Sequence, residues 1–414
     1  MRRLVTPRLA AAILLALAAV AQPPIAAADS VFSIGGLGEP QLAEPARIRA
    51  LGGAGVAEHG PRTFSLTNPA SLADVERILI EGTILPTWRR VDATSEPSET
   101  AHETTFPSLR AVIALPGRVV LGGAYLAGTS AQFGVDRTGS GGAGSTLRVD
   151  GTGGMTFARV SLARRIHSAI SVGLDYDVVS GSYREEWAYA FSDSSLAASR
   201  DTIEVTYARR GRWRLGVEAT VRGATLGAVL EAPRSLPLTA TQRADGTSLS
   251  RSTGQLRLPT GYIFGASVPL GDRYRGVAQY RRASYDRSTL ETSTLVDFRA
   301  EERYSVGFER LRAAEAGAGP LGRLPLRIGA YLLRWPDLLP RAGASDITGG
   351  TAGVNEWAVT LGTGLRSRDE GGAIDLSLEA GSRGSRDELG ARERFVRLAI
   401  SLQVSDETWK AGFH

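Results

Sequence analysis

The stretch Ile170-Ser171-Val172-Gly173-Leu174-Asp175-Tyr176-Asp177-Val178 decides the fold. Apolar side chains at every second position alternate with polar or minimal ones, and a period of two means an extended strand with one apolar and one polar face. The same alternation runs through Trp213 to Val221, Ile374 to Ala380 and Val396 to Val404. About fourteen such segments, beginning near Arg77, Thr104, Arg118, Thr152, His167, Val205, Gly223, Thr253, Arg273, Leu295, Leu324, Val354, Gly371 and Arg392, predict an all-β chain. An even count suits a closed antiparallel transmembrane barrel over residues 77–404 with both ends at the periplasmic side. Tight turns are expected at Pro116-Gly117, Arg165-Ile166, Arg222-Gly223, Gly271-Asp272 and Asp369 to Gly371. Long polar connections are expected at Arg90 to Glu103, Ala131 to Gly151, Gly181 to Glu204 and Pro336 to Gly353, with Arg312 to Arg323 long where a short turn would be regular.

The alternation also assigns a solvent to each face. A wide soluble barrel needs apolar side chains inside. Here the polar set is dense in Arg, Asp, Glu and Gly, which fits a hydrated or plugged lumen with the apolar set toward lipid. Trp88, Tyr125, Tyr176, Trp213, Trp335 and Trp357 are placed to form an aromatic girdle. Arg introduced at Val217 or Leu376 should then impair insertion, while the adjacent Glu218 and Ser377 should tolerate it.

Arg2, Arg3 and Arg8, the apolar run Leu9 to Ala21 and the small step Ala26-Ala27-Ala28 before Asp29 have the order of a cleaved secretory signal, residues 1–28. With no Cys in 414 residues, disulfide scaffolds, thiol chemistry and a lipoprotein anchor drop out. Of the formal charge of +5, three units belong to the leader's arginines, leaving about +2 for the mature chain, which is no nucleic-acid footprint. No later run approaches the twenty apolar residues of a membrane helix.

Residues 29–76 lack strand alternation. They carry glycine turns, in Gly35-Gly36-Leu37-Gly38 and in Leu51-Gly52-Gly53-Ala54-Gly55-Val56-Ala57, and then Asn68-Pro69-Ala70-Ser71-Leu72. Neither glycine pair has the third glycine or the preceding strand of a nucleotide-binding loop. The stretch Arg49 to Ala57 followed by Asn68-Pro69-Ala70 resembles the N-terminal hatch of the FadL-type outer-membrane transporters. The stretches Leu324 to Tyr331, Val359 to Arg366 and Ile374 to Leu378 resemble that family's closing strands. The resemblance implies a fourteen-stranded barrel plugged by its N-terminus, with Gly52, Gly53, Gly55, Asn68, Pro69 and Ala70 as hatch and gating residues. It also implies a passive route for hydrophobic molecules such as long-chain fatty acids, with a lateral opening at the third strand, where Gly122, Gly123 and Gly128 lie. Glycines inside a strand mark bulges or close backbone approach, so Gly122 and Gly123 equally fit the simpler role of making room for the plug. Asn68 and Pro69 would fix a turn beside that strand.

The C-terminus, Ser405-Asp406-Glu407-Thr408-Trp409-Lys410 onward (405–414), extends past the last strand as in PorV-like relatives of the same superfamily. That similarity implies the alternative, a barrel serving protein secretion or surface attachment. Enzymatic chemistry finds little support. Glu185-Glu186, Glu301-Glu302 and Asp175/Asp177 are pairs in sequence only, His59, His102, His167 and His414 are scattered without metal-ligand spacing, and no nucleophile elbow occurs. No cofactor is implied. Expected partners are outer-membrane lipid and lipopolysaccharide, met by Arg209-Arg210-Gly211-Arg212 and Arg281-Arg282, a hydrophobic substrate, and the barrel-assembly machinery during insertion. The expected location is the outer membrane of a Gram-negative-type bacterium, as a monomer.

Overall fold

The computed structural model describes residues 30–34, 37–94, 98–138, 144–193, 197–286, 297–311, 324–342, 349–367 and 371–406. The expected signal peptide, the connection 312–323 and the extension beyond Asp406 lie outside them. Fourteen antiparallel strands close into a barrel. They are β1 (Ile78–Ala93), β2 (Glu99–Leu115), β3 (Val119–Ala127, resuming as Phe133–Thr138), β4 (Ser145–His167), β5 (Ile170–Phe191), β6 (Ser199–Val221) and β7 (Ala224–Glu231, resuming as Arg234–Ala244). There follow β8 (Thr247–Leu258, resuming as Gly261–Pro269), β9 (Tyr274–Ala283), β10 (Asp297–Phe298 and Glu301–Arg310), β11 (Leu326–Pro340), β12 (Thr351–Arg366), β13 (Gly372–Ser385) and β14 (Ala391–Asp406). The ring closes where β14 pairs with β1, from Ala391 opposite Ala93 to Asp406 opposite Ile78. Closure matters because an unpaired backbone group in hydrocarbon costs several kcal/mol.

Across β5 and β6, Val172 faces Val217, Leu174 faces Leu215 and Tyr176 faces Trp213, whereas Asp175 faces Arg214 and Asp177 faces Arg212. On the outside Tyr176, Trp213, Leu215 and Val217 are exposed and Val172 and Leu174 half-buried, whereas the charged set is buried within. The outer surface is layered. Val359 and Val306 lie in an aliphatic row, Trp357, Tyr304, Tyr280 and Phe264 lie one step higher, and Arg334, Glu302 and Arg282 one step above that. This order of aliphatic, aromatic and charged layers is that of a bilayer interface.

Three expectations are corrected. Arg165-Ile166 lies inside β4, and the turn falls at Ser168-Ala169. The expected long connections are largely strand, with β1 running to Ala93 and β2 beginning at Glu99. Beyond the bilayer both faces of a strand meet water, so alternation fades although the ladder continues. Trp335 is fully buried rather than in the girdle. A register break between Arg334 and Leu338 re-aims it inward, as bulges do, against Phe32, Val354 and Phe395.

Among the described residues the wall is interrupted at several places, one of them between β8 and β9 above Gly261 and Ala283. β7 and β8 break side by side at Pro233 and Pro259, residues without a ladder N–H, and pairing between them continues on both sides, from Glu231 opposite Gly261 to Arg234 opposite Leu258. Between β2 and β3 the ladder runs from Leu115 opposite Val119 to Ser108 opposite Leu126. Among the described residues it does not resume. The upper part of β3 pairs only with β4, from Phe133 opposite Gly151 to Thr138 opposite Thr146.

Candidate functional site

The described residues from Ser30 to Glu76 touch strands on every side of the ring and so lie within it. The helical turn α1 (Ala46–Arg49) ends at Gly52 and Gly53, which have φ of +68° and +82°. That left-handed conformation is open to glycine at little cost, and it sets the backbone against the wall. The Gly52 N–H donates to Thr360 Oγ1 at 3.2 Å, and the Gly55 and Val56 N–H groups both donate to Gln279 Oε1 at 2.9 and 2.8 Å. Asn68 begins a 3-10 turn (Pro69–Asp74): its Oδ1 accepts the Ala70 N–H at 3.0 Å, and its Nδ2 donates to the Val56 carbonyl at 2.8 Å.

The wall is built to receive this backbone. A Cβ on lumen-facing Gly173, Gly216, Gly227, Gly307, Gly329 or Gly362 would come within 3.0 Å of Pro69, Asn68, Val56, Leu51, Gly52 and Ala50, respectively. Sequence reasoning counted these glycines merely as part of the polar face. Their recurrence at lumen-facing strand positions was the available signal of a close neighbour. Arginines complete the seat. Arg110 donates to the Phe64 carbonyl at 2.9 Å, Arg159 to Leu66 at 2.6 Å and Arg214 to Thr67 at 2.5 Å. Each is held by wall carboxylates, with Arg110 on Glu81, Arg159 on Asp177 and Arg214 on Asp175 and Glu231. Asp175 and Asp177 thus serve ion pairs. Buried charges persist only when paired in this manner.

Two anchors tie the upper part of the segment. The buried Glu39 carboxylate meets Arg397 at 2.5 Å, Arg383 at 2.8 Å and Arg89 at 3.4 Å. Phe32 fills a nest of Tyr331, Leu333, Trp335, Val354 and Phe395. The backbone of Glu39–Pro40 pairs antiparallel with Thr129–Ser130, and the Gln41 N–H donates to the Gly128 carbonyl at 2.9 Å. The segment therefore grips β3 where that strand leaves β2. At the lower end His59 Nδ1 bonds Asp74, whose other oxygen bonds Arg165, while His59 Nε2 meets Thr225 Oγ1 at 3.0 Å. The hydrogen bond to Asp74 holds the His59 pKa above its ordinary value despite burial. Burial pushes Asp74 up, but His59 and Arg165 outweigh it and hold its carboxyl below the usual range.

The three candidate opening glycines separate. Gly122 and Gly123 lie in regular ladder opposite Val112 and Ala111, and only Gly128 stands at the break. A Cβ on Gly122 would strike Leu72 of the segment at 2.8 Å, whereas Gly123 has nothing within 4 Å. Asn68 lies against β6, donating to the Val217 carbonyl at 3.2 Å, and not beside β3 as expected. Leu72, four residues on, packs against Gly122 of β3.

Three hollows touch the β2–β4 wall. One of about 170 Å³ spans the lumen, from β3 at Leu126 to Thr129 across to Leu258, Tyr285, Arg303 and Leu333. A crevice of about 10 Å³ among Phe64, Leu66, Leu72 and Gly122 follows. The last, of about 680 Å³, opens at the periplasmic end between Val75, Leu115, Val120 and Arg165. The upper hollow is smaller than the roughly 300–1,000 Å³ of small-molecule sites.

A closed barrel with an apolar outer face is an outer-membrane barrel, and solved FadL-type structures share this fold. They include a Pseudomonas aeruginosa FadL homologue (12% identity, TM-score 0.60, covering 87% of this chain and 97% of that one). The Ralstonia pickettii toluene transporter TbuX is similar at 16% identity and TM-score 0.59, with 91% and 100% covered. The Pseudomonas putida toluene transporter TodX is similar at 14% and 0.55, with 90% and 99% covered. No curated protein sequence matches the chain. The family model for BamG matches residues 3–219, and the chain belongs to the BamG family.

Proposed function

We propose that the protein is a passive outer-membrane channel for hydrophobic small molecules, entered sideways between β2 and β3. The observation that carries this reading is the end of the β2–β3 ladder at Ser108 and Leu126, among the described residues, beside the 170 Å³ hollow at Leu126 to Thr129 and the segment's grip on Thr129–Ser130. A hydrophobic solute partitions from water into the bilayer first and so meets the barrel from the lipid side, and apolar Leu126 and Phe157 line the hollow it would enter. Withdrawal of Glu39–Pro40 would widen the upper hollow, and displacement of Leu72 from Gly122 would join it to the periplasmic one. Long-chain fatty acids are the test substrate because the solute class rests on resemblance.

The test is a crosslink. Pro40→Cys with Thr129→Cys joins residues already opposite one another, in a chain with no other Cys. Uptake of a labelled fatty acid should fall at least tenfold on oxidation and return on reduction, and unchanged uptake with the crosslink complete would sink the lateral route. A second reading, a barrel serving protein assembly or secretion, is favoured by the BamG family match. Under it, in vivo photo-crosslinking from the 680 Å³ periplasmic hollow would capture barrel-assembly proteins, and the Cys pair would leave that capture intact.

A further inference from the structure

Two arginine stretches suggest contacts with outer-leaflet lipid in the sequence. Arg209 and Arg210 are exposed, but Arg212 and Arg281 point inward to Glu231 and Glu301, and Arg282 is shared with Arg334 on Glu302, at 3.4 and 2.8 Å. A further outward cluster lies on the seam where the barrel closes. Arg90 of β1 and Arg394 of β14 are direct cross-strand partners, with side chains 60% and 63% exposed. Like charges placed opposite one another destabilise a sheet unless something anionic lies between them. Arg392, one step above Arg394 on the same face, leans across the sheet, its Nε donating to Ser382 Oγ at 3.0 Å.

A single carboxylate serves this group. Asp92 lies 3.2 Å from Arg90 Nε and 3.8 Å from Arg394 Nη2, and it also accepts from Ser98 Oγ at 2.8 Å. Arg90 and Arg394 share this one acid and, among the described residues, Arg392 has no carboxylate within 4 Å, whereas Arg282 and Arg334 share Glu302 between two. One step below the Arg90–Arg394 pair come Trp88 and Val396, themselves a cross-strand pair and both exposed to lipid. Ladder neighbours along the arginine row lead from Arg394 through Ser382 to Trp357 of the girdle. The cluster therefore stands at headgroup height, over an apolar surface, with guanidinium groups free to fork onto phosphate oxygens.

We propose that Arg90, Arg392 and Arg394 bind the phosphate of a phosphorylated glycolipid in the outer leaflet, whose chains lie on Trp88 and Val396. The bound lipid would neutralise the like-charge pair and cover the β14–β1 seam. It rests on the outer face alone and holds whether or not the lumen conducts.

The test uses the full chain in nonionic detergent, titrated with diphosphorylated lipid A and followed by native mass spectrometry. Arg90→Gln with Arg394→Gln should weaken binding by about tenfold or more, the scale of losing charge-assisted hydrogen bonds. Arg90→Lys with Arg394→Lys should fall in between, and Arg334→Gln should change nothing. The wild-type chain should lose the same affinity for lipid A stripped of both phosphates, a comparison that needs no variant to fold. Equal binding by the double Gln variant, or of the stripped lipid, would overturn the proposal. So would complete displacement by inorganic phosphate at equal concentration, which would make this a site for free phosphate.

Discussion

Gly122 and Gly123 are adjacent in sequence and opposite in consequence. Gly122→Val should drive Leu72 off the wall, an overpacking of about 1–3 kcal/mol, seen as faster proteolysis within residues 30–76. Gly123→Val, with open space at its Cβ, should leave that protection unchanged. His59 gives the second test at this scale. Its pKa is raised above 6.5 in the folded chain, so its contribution is complete below the unfolded value and fades as pH rises through the folded one. Asp74, lowered from 3.8, contributes above its unfolded value and loses its effect as pH falls through the folded one. His59→Gln should therefore be most destabilising between these limits and should converge with the wild type in alkali, as thermal melts of a pH series would show.

Among the elements, β5, β6, β13 and β14 were legible because each presents one face to lipid along most of its length, so two-residue alternation survives in the sequence. The strand count was legible for the same reason. What was not legible has a common cause, a partner far away in the chain. The inward turn of Trp335 depends on a bulge against β12 and on Phe32 some three hundred residues earlier. The grip on β3 depends on Glu39, which looks like any polar residue until Arg89, Arg383 and Arg397 converge on it. Asn68 opens its turn by accepting the Ala70 N–H, but its neighbour on the wall is set by the path of the segment, which no local pattern encodes. The Cys pair at Pro40 and Thr129 is the element-scale test. It asks whether one short antiparallel contact controls passage.

At the scale of the whole molecule the filled lumen changes a simple expectation about parity. Val217→Arg should impair insertion by roughly 2–4 kcal/mol near the midplane, measured as loss of folded barrel in the outer membrane. Glu218→Arg was expected to be tolerated, but Glu218 is buried against the segment near Asn68. It should insert normally and fail instead to seat residues 30–76. The two faces are then both demanding, one toward lipid and one toward the chain's own N-terminus. The most direct measurement of that claim is ionic conductance across a planar bilayer, comparing the intact chain with one lacking residues 37–76. The intact chain should show no steady conductance, and the deletion should open a large ohmic pore through the charged lumen. Steady conductance of the same size from both would contradict a barrel closed by its own N-terminal segment.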